Sequence, residues 1–340
     1  MKYFLILLPV FLLFSCKTTV EETTTTQTPS IPAPGVERMA AGLDALIEPT
    51  AELETLADGL NWSEGPVWVP EGGYLLFSDV PENTIYKWKE GEGKSVYLQP
   101  SGFTADRERA GEGGSNGLAL DQSGQLILCQ HGDRRLARMT TSLDAPAPEF
   151  ETIADKFEGK KFNSPNDVAM TREGDFYFTD PPYGLVKGMD DPGKEIDFQG
   201  VYKVAAGGEV SLISDQMTRP NGIALSPDER TLYVANSDPE KALWMAYSLD
   251  ENGEKTGEKV FFDATDKATK ENPGMPDGLK VDANGNLFAT GPGGVWIFSP
   301  DGEALGLVRT GHKTANCALG ADGYLYMTAD DYLMRIKLKG

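Results

Sequence analysis

Apolar residues recur along this chain in runs of four to six that alternate with polar ones or stand together. Each run is bounded by Gly, Asp, Asn or Pro. That pattern, with its β-branched and aromatic content, predicts strands rather than helices throughout. One short unit repeats six times: a polar lead residue, usually followed by Gly, opens an apolar strand, and a Gly- or Asp-containing turn leads into a second. The copies run Glu64–Trp68 into Tyr74–Phe77, Asn116–Leu120 into Gln125–Leu128, and Asn166–Met170 into Asp175–Phe178. They continue with Asn221–Leu225 into Thr231–Val234, Asp277–Val281 into Asn286–Ala289, and Asn316–Leu319 into Tyr324–Met327. Third strands follow at Thr84–Trp88, Gly200–Val204, Gly294–Phe298 and Tyr332–Ile336, and weaker fourth strands at Val210–Ile213 and Lys259–Phe262.

A spacing of about 40–55 residues is the length of a four-stranded propeller blade. The last copy ends after three strands, and a lone strand at Ala51–Ala57 precedes the first copy. The expectation is an all-β, six-bladed β-propeller over residues 51–340, closed by an N-terminal strand that completes the sixth blade and removes the exposed edge. No room is left for a second domain. An open antiparallel sandwich would not explain six copies of one turn pattern.

Equivalent positions of the blades form a ring about a propeller axis. The six lead residues, Glu64, Asn116, Asn166, Asn221, Asp277 and Asn316, therefore meet at one end of the channel if the innermost strands all run the same way. Such a ring offers two carboxylates and four amide oxygens. Hard cations such as Ca²⁺ take all-oxygen shells of about six to eight ligands. No His or Cys lies in the ring, which argues against a site built for zinc. The other reading is turn chemistry, since Asn-Gly and Asp-Gly are common turn pairs. Six in register favour the metal site.

Charge narrows the partners. With 31 Lys and Arg against 52 Asp and Glu, the net charge of −21 excludes a nucleic-acid footprint and repels anionic lipid. The N-terminus predicts export: Lys2 precedes the apolar stretch Tyr3–Phe14, too short to cross a bilayer of about 30 Å. It ends at Leu13-Phe14-Ser15-Cys16, which resembles the lipobox of bacterial lipoproteins. Residues 1–15 then form a signal peptide, and residues 16–50 hold a lipidated Cys16, a flexible Thr/Pro-rich tether and a lead-in. The expected location is the bacterial envelope, on a periplasmic or cell-surface face, with membrane contact only through the lipid. Cys129 and Cys317 match no zinc or thioredoxin spacing and read as buried free thiols, a disulfide being the alternative in an oxidising compartment.

The segments Trp62–Trp68, Ser115–Asp121, Ser164–Val168, Phe178–Gly184, Arg219–Ser226 and Met275–Leu279 together resemble the senescence marker protein/gluconolactonase/luciferin-regenerating enzyme-like family, and Cys129–Arg135 looks like its bacterial gluconolactonase branch. The resemblance runs from about residue 50 to residue 338. It implies a six-bladed propeller with one catalytic divalent cation, usually Ca²⁺, with Mg²⁺, Mn²⁺ or Zn²⁺ as alternatives. The implied activity is hydrolysis of a small sugar lactone or ester. Carried over by motif, Glu64, Asn221 and Asp277 match metal ligands, and Asn166 matches a position contacting substrate and, in relatives, metal. Asp277 is then also the general base. Where the animal branch has an Arg shortly before the Asn-Asp pair, this chain reads Phe162-Asn163-Ser164-Pro165, so that sugar contact does not carry over.

Asn116 would orient substrate, and Tyr183 lies on a long loop, 180–199, that could cover the channel mouth. A second such loop, 101–114, carries Arg107 and Arg109, which read either as binders of a substrate carboxylate or hydroxyl, or as solvated charge. His131 and His312 are candidate bases or substrate contacts, or else strand-end hydrogen bonders. Trp68, Trp88, Trp244 and Trp296 are expected in blade cores. Competing functions are cleavage of another ester or a phosphotriester at the same ring, or a non-catalytic calcium-binding scaffold. The protein is expected to act as a monomer or dimer.

Overall fold

The computed structural model describes residues 1–3 and 31–339. The signal-peptide run from Phe4 onward, the lipidation candidate Cys16 and most of the Thr/Pro-rich tether lie outside the described residues.

Six antiparallel sheets of four or five strands follow one another in chain order, with a small two-stranded ribbon at Lys156–Phe157 and Lys160–Lys161, and the fold is a six-bladed β-propeller. The innermost strands are Ser63–Val69, Ser115–Leu120, Val168–Met170, Pro220–Leu225, Leu279–Val281 and Thr314–Leu319. The second strands read as nearly unbroken apolar runs because both faces are buried against neighbouring blades. In the first blade Leu75 packs towards the sixth blade, beside Tyr326 and Leu333, while Leu76 packs towards the second, beside Leu126 and Leu128. In the second blade Ile127 turns instead to Phe176 and Phe178 of the third. Alternate residues of one strand thus serve two different interfaces, which fixes the register: a one-residue slip would exchange them.

Closure follows the predicted scheme. Leu53–Ala57 pairs antiparallel with Tyr332–Lys337 as the outer strand of the sixth blade. Arg335 latches this seam, reaching Glu54 at 2.8 Å and Glu90 of the first blade at 2.6 Å. The lead-in is more structured than its composition suggested. Gly35–Arg38 adds a fifth, outer strand to the fifth blade by pairing with Ala304–Arg309. After it, Leu43 and Ile47 are fully buried beside Val308 and Leu325. Trp88, Trp244 and Trp296 are buried, and Trp68 stacks on Tyr326, so all four belong to blade packing. Cys129 and Cys317 are free and buried in different interfaces.

Candidate active site

The lead residues owe their positions to a break in each innermost strand. Pairing with the second strand skips between Glu64 and Val67, Ser115 and Leu118, Pro220 and Ile223, and Thr314 and Asn316. Bulges of this kind rotate a side chain out of the sheet alternation. In the third and fifth blades the regular strand starts only after the lead residue, and single bonds hold it: Asn166 N–H donates to Thr179 O at 2.8 Å, and Asp277 N–H to Thr290 O at 3.0 Å.

The glycine after the lead residue is not a turn glycine. A Cβ at Gly222 would lie 2.1 Å from Asp277 O of the next blade, and one at Gly65 would lie 1.9 Å from Asn116 O. Glycine there lets one blade's backbone press against the next. The same contact carries Gly117 N–H to Asn166 O at 2.7 Å and Gly278 N–H to Ala315 O at 2.8 Å. The Asn-Gly and Asp-Gly pairs therefore encode both a polar side chain at the channel end and close blade approach.

A cavity of about 310 Å³ opens at that end. Glu64, Asn116, Asn166, Asn221 and Asp277 line it together, joined by Tyr183. Asn116 Oδ1, Asn166 Oδ1 and Asp277 Oδ1 are buried and accept no hydrogen bond. Three such oxygens converging on one cavity are costly unless something electropositive meets them. Asn221 is held by its Nδ2, which donates to Ser237 Oγ at 2.9 Å, and Ser237 in turn donates to Pro276 O. Glu64 Oε2 accepts from Gly65 N–H at 3.1 Å and from Asn316 Nδ2 at 3.3 Å.

Asn316, the sixth lead residue, does not line the cavity. Its Nδ2 spans Glu64 and Asp167 Oδ2, the latter at 3.5 Å, while its Oδ1 accepts from Cys317 N–H at 2.8 Å and Lys280 Nζ at 3.4 Å. The buried Asp167 and the half-buried Lys280, 3.8 Å apart, complete a polar network behind the ring. The ring thus has five members facing the cavity and one supporting them from behind.

The electrostatics are those of crowded acids out of water. Burial, with Asp167 and Glu112 nearby, pushes the Glu64 carboxyl up to about 7. Burial also holds Asp277 well above the usual carboxylate range, reinforced by Glu64, Asp167 and Glu112. Glu112, on the loop before the second blade, lines the same cavity and is pushed by burial up to about 7. The two ring carboxyls, Glu64 and Asp277, with the unpaired amide oxygens of Asn116 and Asn166 suit a hard cation, which would relieve the crowding of these acids. Among the described residues no cluster of three or more His, Cys, Asp or Glu side chains has metal-binding geometry, so any such ion must rely on the amide oxygens as well as the carboxylates.

Other sequence candidates sit elsewhere. Arg109 does not line the cavity. Its guanidinium donates to Glu112 O at 3.0 Å and to Gly184 O, tying loop 101–114 to loop 180–199, and it lies over Phe103. Arg107 stacks on the same ring. His131 is fully buried beneath this junction, with both ring nitrogens unpartnered and Glu112 3.7 Å away. Burial and Arg109 push its pKa down to about 3, so it is neutral at ordinary pH. His312 packs on Tyr332 and lies 3.9 Å from Asp330, outside the cavity. Sequence reasoning did not single out Glu112, Trp62, Arg219, Ser237 and Lys313, which also line the cavity. Trp62 and Arg219 stood within quoted motifs, each two residues before a lead residue.

Comparison with known proteins agrees with this architecture. The family described as SMP-30/Gluconolactonase/LRE-like region matches residues 62–330. The chain is 39% identical over 311 residues to a gluconolactonase of Zymomonas mobilis subsp. mobilis, spanning 89% of this chain and 86% of that protein. The solved structure of a gluconolactonase from Xanthomonas campestris superposes with a TM-score of 0.76 at 29% identity, covering 92% of this chain and 97% of the other. Regucalcin from Agrobacterium tumefaciens, a calcium-binding protein, shares the fold with a TM-score of 0.64 at 20% identity, covering 85% and 95%.

Proposed function

The chain belongs to the SMP-30/gluconolactonase/LRE-like family, and on that premise we propose that it hydrolyses sugar lactones with a divalent cation held by Glu64, Asn166, Asn221 and Asp277. The observation that carries the proposal is the set of buried, unpartnered oxygens of Asn116, Asn166 and Asp277 on one cavity. An all-oxygen donor set with two carboxylates matches Ca²⁺ first, with Mg²⁺, Mn²⁺ and Zn²⁺ to be compared. When bound, such an ion polarises the lactone carbonyl and stabilises negative charge on its oxygen.

The chain's own residues supply the rest. Asp277 accepts the proton of the hydrolytic water as its oxygen bonds to the carbonyl carbon. The ring C–O bond then breaks, and the proton passes from Asp277 to the departing alkoxide, leaving an aldonic acid that loses its carboxyl proton to water as the aldonate. Asn116 and Asn166 orient the lactone, and Tyr183, brought over the cavity by loop 180–199, limits access of bulk water. Burial and the adjacent Asp277 raise the Tyr183 phenol, so it stays protonated and able to donate. Ser237 and Asn316 position Asn221 and Glu64.

The test is hydrolysis of D-glucono-1,5-lactone after chelation and return of single ions, with Asp277→Asn alongside. The expected outcome is loss on chelation, recovery with one ion, and a loss of about 10²–10⁴-fold in Asp277→Asn. Full activity in that variant would remove Asp277 as the base. Tight cation binding without turnover of any lactone, ester or phosphotriester would favour a scaffold. On the sequence pattern alone, export and anchoring to the bacterial envelope through Cys16 are part of the same proposal.

A further inference from the structure

Two cations line the cavity without carboxylate partners. Arg138, Arg309 and Arg335 each close onto acids at 3.2 Å or less. Arg219 and Lys313 form no ion pair among the described residues, although acids outnumber bases 52 to 31 in the chain. Both side chains are exposed, yet both belong to the cavity wall. Their backbones are fixed: Arg219 N–H donates to Asn236 Oδ1 at 2.8 Å, and Lys313 N–H to Asp330 Oδ2 at 3.0 Å. Lys313 Nζ lies 6.0 Å above the Trp62 ring, and Arg219 is close enough to Tyr183 to oppose the burial-driven rise of its phenol. Arg219 precedes Asn221 in the fourth blade and Lys313 precedes Asn316 in the sixth, so the pair flanks Asp277 of the fifth.

We propose that Arg219 and Lys313 form an anion subsite at the mouth, and that the preferred substrates are single-sugar lactones bearing a carboxylate or phosphate remote from the reacting carbonyl. The inference rests on the lactonase reading of the same site. In that reading a divalent cation neutralises Glu64 and Asp277. Of the remaining lining residues only Glu112 then opposes two positive side chains, so the lining is net cationic, with Asp238 near Arg219 and Asp330 near Lys313 lying outside it. Neither side chain has to give up an ion pair to meet an anion, so the cost left is the ordering of two rotamer-rich side chains, and guanidinium forks suit carboxylate and phosphate alike. A cavity of about 310 Å³ lies at the small end of ligand sites and suits one sugar ring rather than an oligosaccharide.

The experiment compares kcat/KM for D-glucono-1,5-lactone, its 6-phosphate and D-glucaro-1,4-lactone, using the full chain, Arg219→Gln, Lys313→Gln and the double variant. The protein as it stands should prefer at least one charged lactone over the neutral one by about tenfold or more, and added salt should erode that preference. Each single variant should lower the charged-to-neutral ratio several-fold, chiefly through KM, and the double variant should abolish it. Comparison of the two charged lactones separates phosphate from carboxylate recognition. A ratio at or below one in the unaltered protein, or one untouched by the double substitution, overturns the proposal. If no lactone is turned over, the lactonase reading has failed separately. Calorimetric binding of 6-phosphogluconate and glucarate against gluconate then decides the subsite: selective binding lost in the double variant upholds it, and equal binding of all three overturns it.

Discussion

Gly222→Ala tests whether the glycine after a lead residue is there for blade approach. The added Cβ would sit 2.1 Å from Asp277 O, 2.6 Å from Gly278 Cα and 2.8 Å from Asp277 C. All three are backbone atoms, so no side chain can swing aside. Reaching 3.0 Å, the lower bound of real Cβ contacts, requires the fourth and fifth blades to part by 0.9 Å (3.0 − 2.1). Overpacking of this kind costs about 1–3 kcal/mol. At roughly 2–4 °C per kcal/mol for a domain near this size, Tm should fall by about 2–12 °C, leaving a folded protein. Function should suffer more, because the parting separates Asn221 from Asp277, and a misplacement of about 1 Å can cost about 10²-fold in rate. The assay is lactone hydrolysis beside a thermal melt, with Gly207→Ala as control, since a Cβ there meets nothing within 4 Å. Unchanged activity and Tm in Gly222→Ala would refute the close-approach argument. A fall in Tm with full activity would refute the link between blade spacing and site geometry.

Two further outcomes follow from the charge distribution and the N-terminus. Glu64 and Glu112 bind protons more tightly folded than unfolded, so without cation their contribution to stability is full below about pH 4.5 and is lost as pH rises through about 7. A divalent cation should reverse this, raising Tm more at pH 8 than at pH 5, because it needs the carboxylates deprotonated. An equal rise at both pH values in a melting series would count against Glu64 as a ligand. For the anchor, labelled fatty acid should enter the expressed protein and be lost in Cys16→Ser; labelling that survives the substitution would place the lipid elsewhere, and no labelling of the unaltered protein would remove it.

How much was legible in the sequence depended on which contacts repeat. The six second strands are apolar on both faces because each serves two interfaces, and that duplicated demand leaves a strong mark at fixed spacing, so blade number and closure could be read directly. Five of the six lead residues also meet at one cavity, Glu64, Asn116 and Asn221 through a bulge in the innermost strand and Asn166 and Asp277 just ahead of a strand that starts late. What repeats was visible; what breaks the repeat was not. Gly35–Arg38 adds a strand to one blade alone, and four residues after a polar tether carry no period to distinguish them. Arg109 and His131 had the chemistry of site residues but serve the junction between two loops, where Gly184 packs against His131, a contact set by loop geometry rather than spacing. Asn316 is the more instructive departure. Its residue type and register match the others, yet Asp167 and Lys280 behind the ring, together with Glu64, occupy its amide. A cation held by carboxylates needs those carboxylates oriented, and an amide that donates to Glu64 from behind does so without adding charge. The symmetry of six equivalent positions is therefore broken where a site needs support as well as ligands, and the identity of the lead residue cannot reveal which of the two it provides.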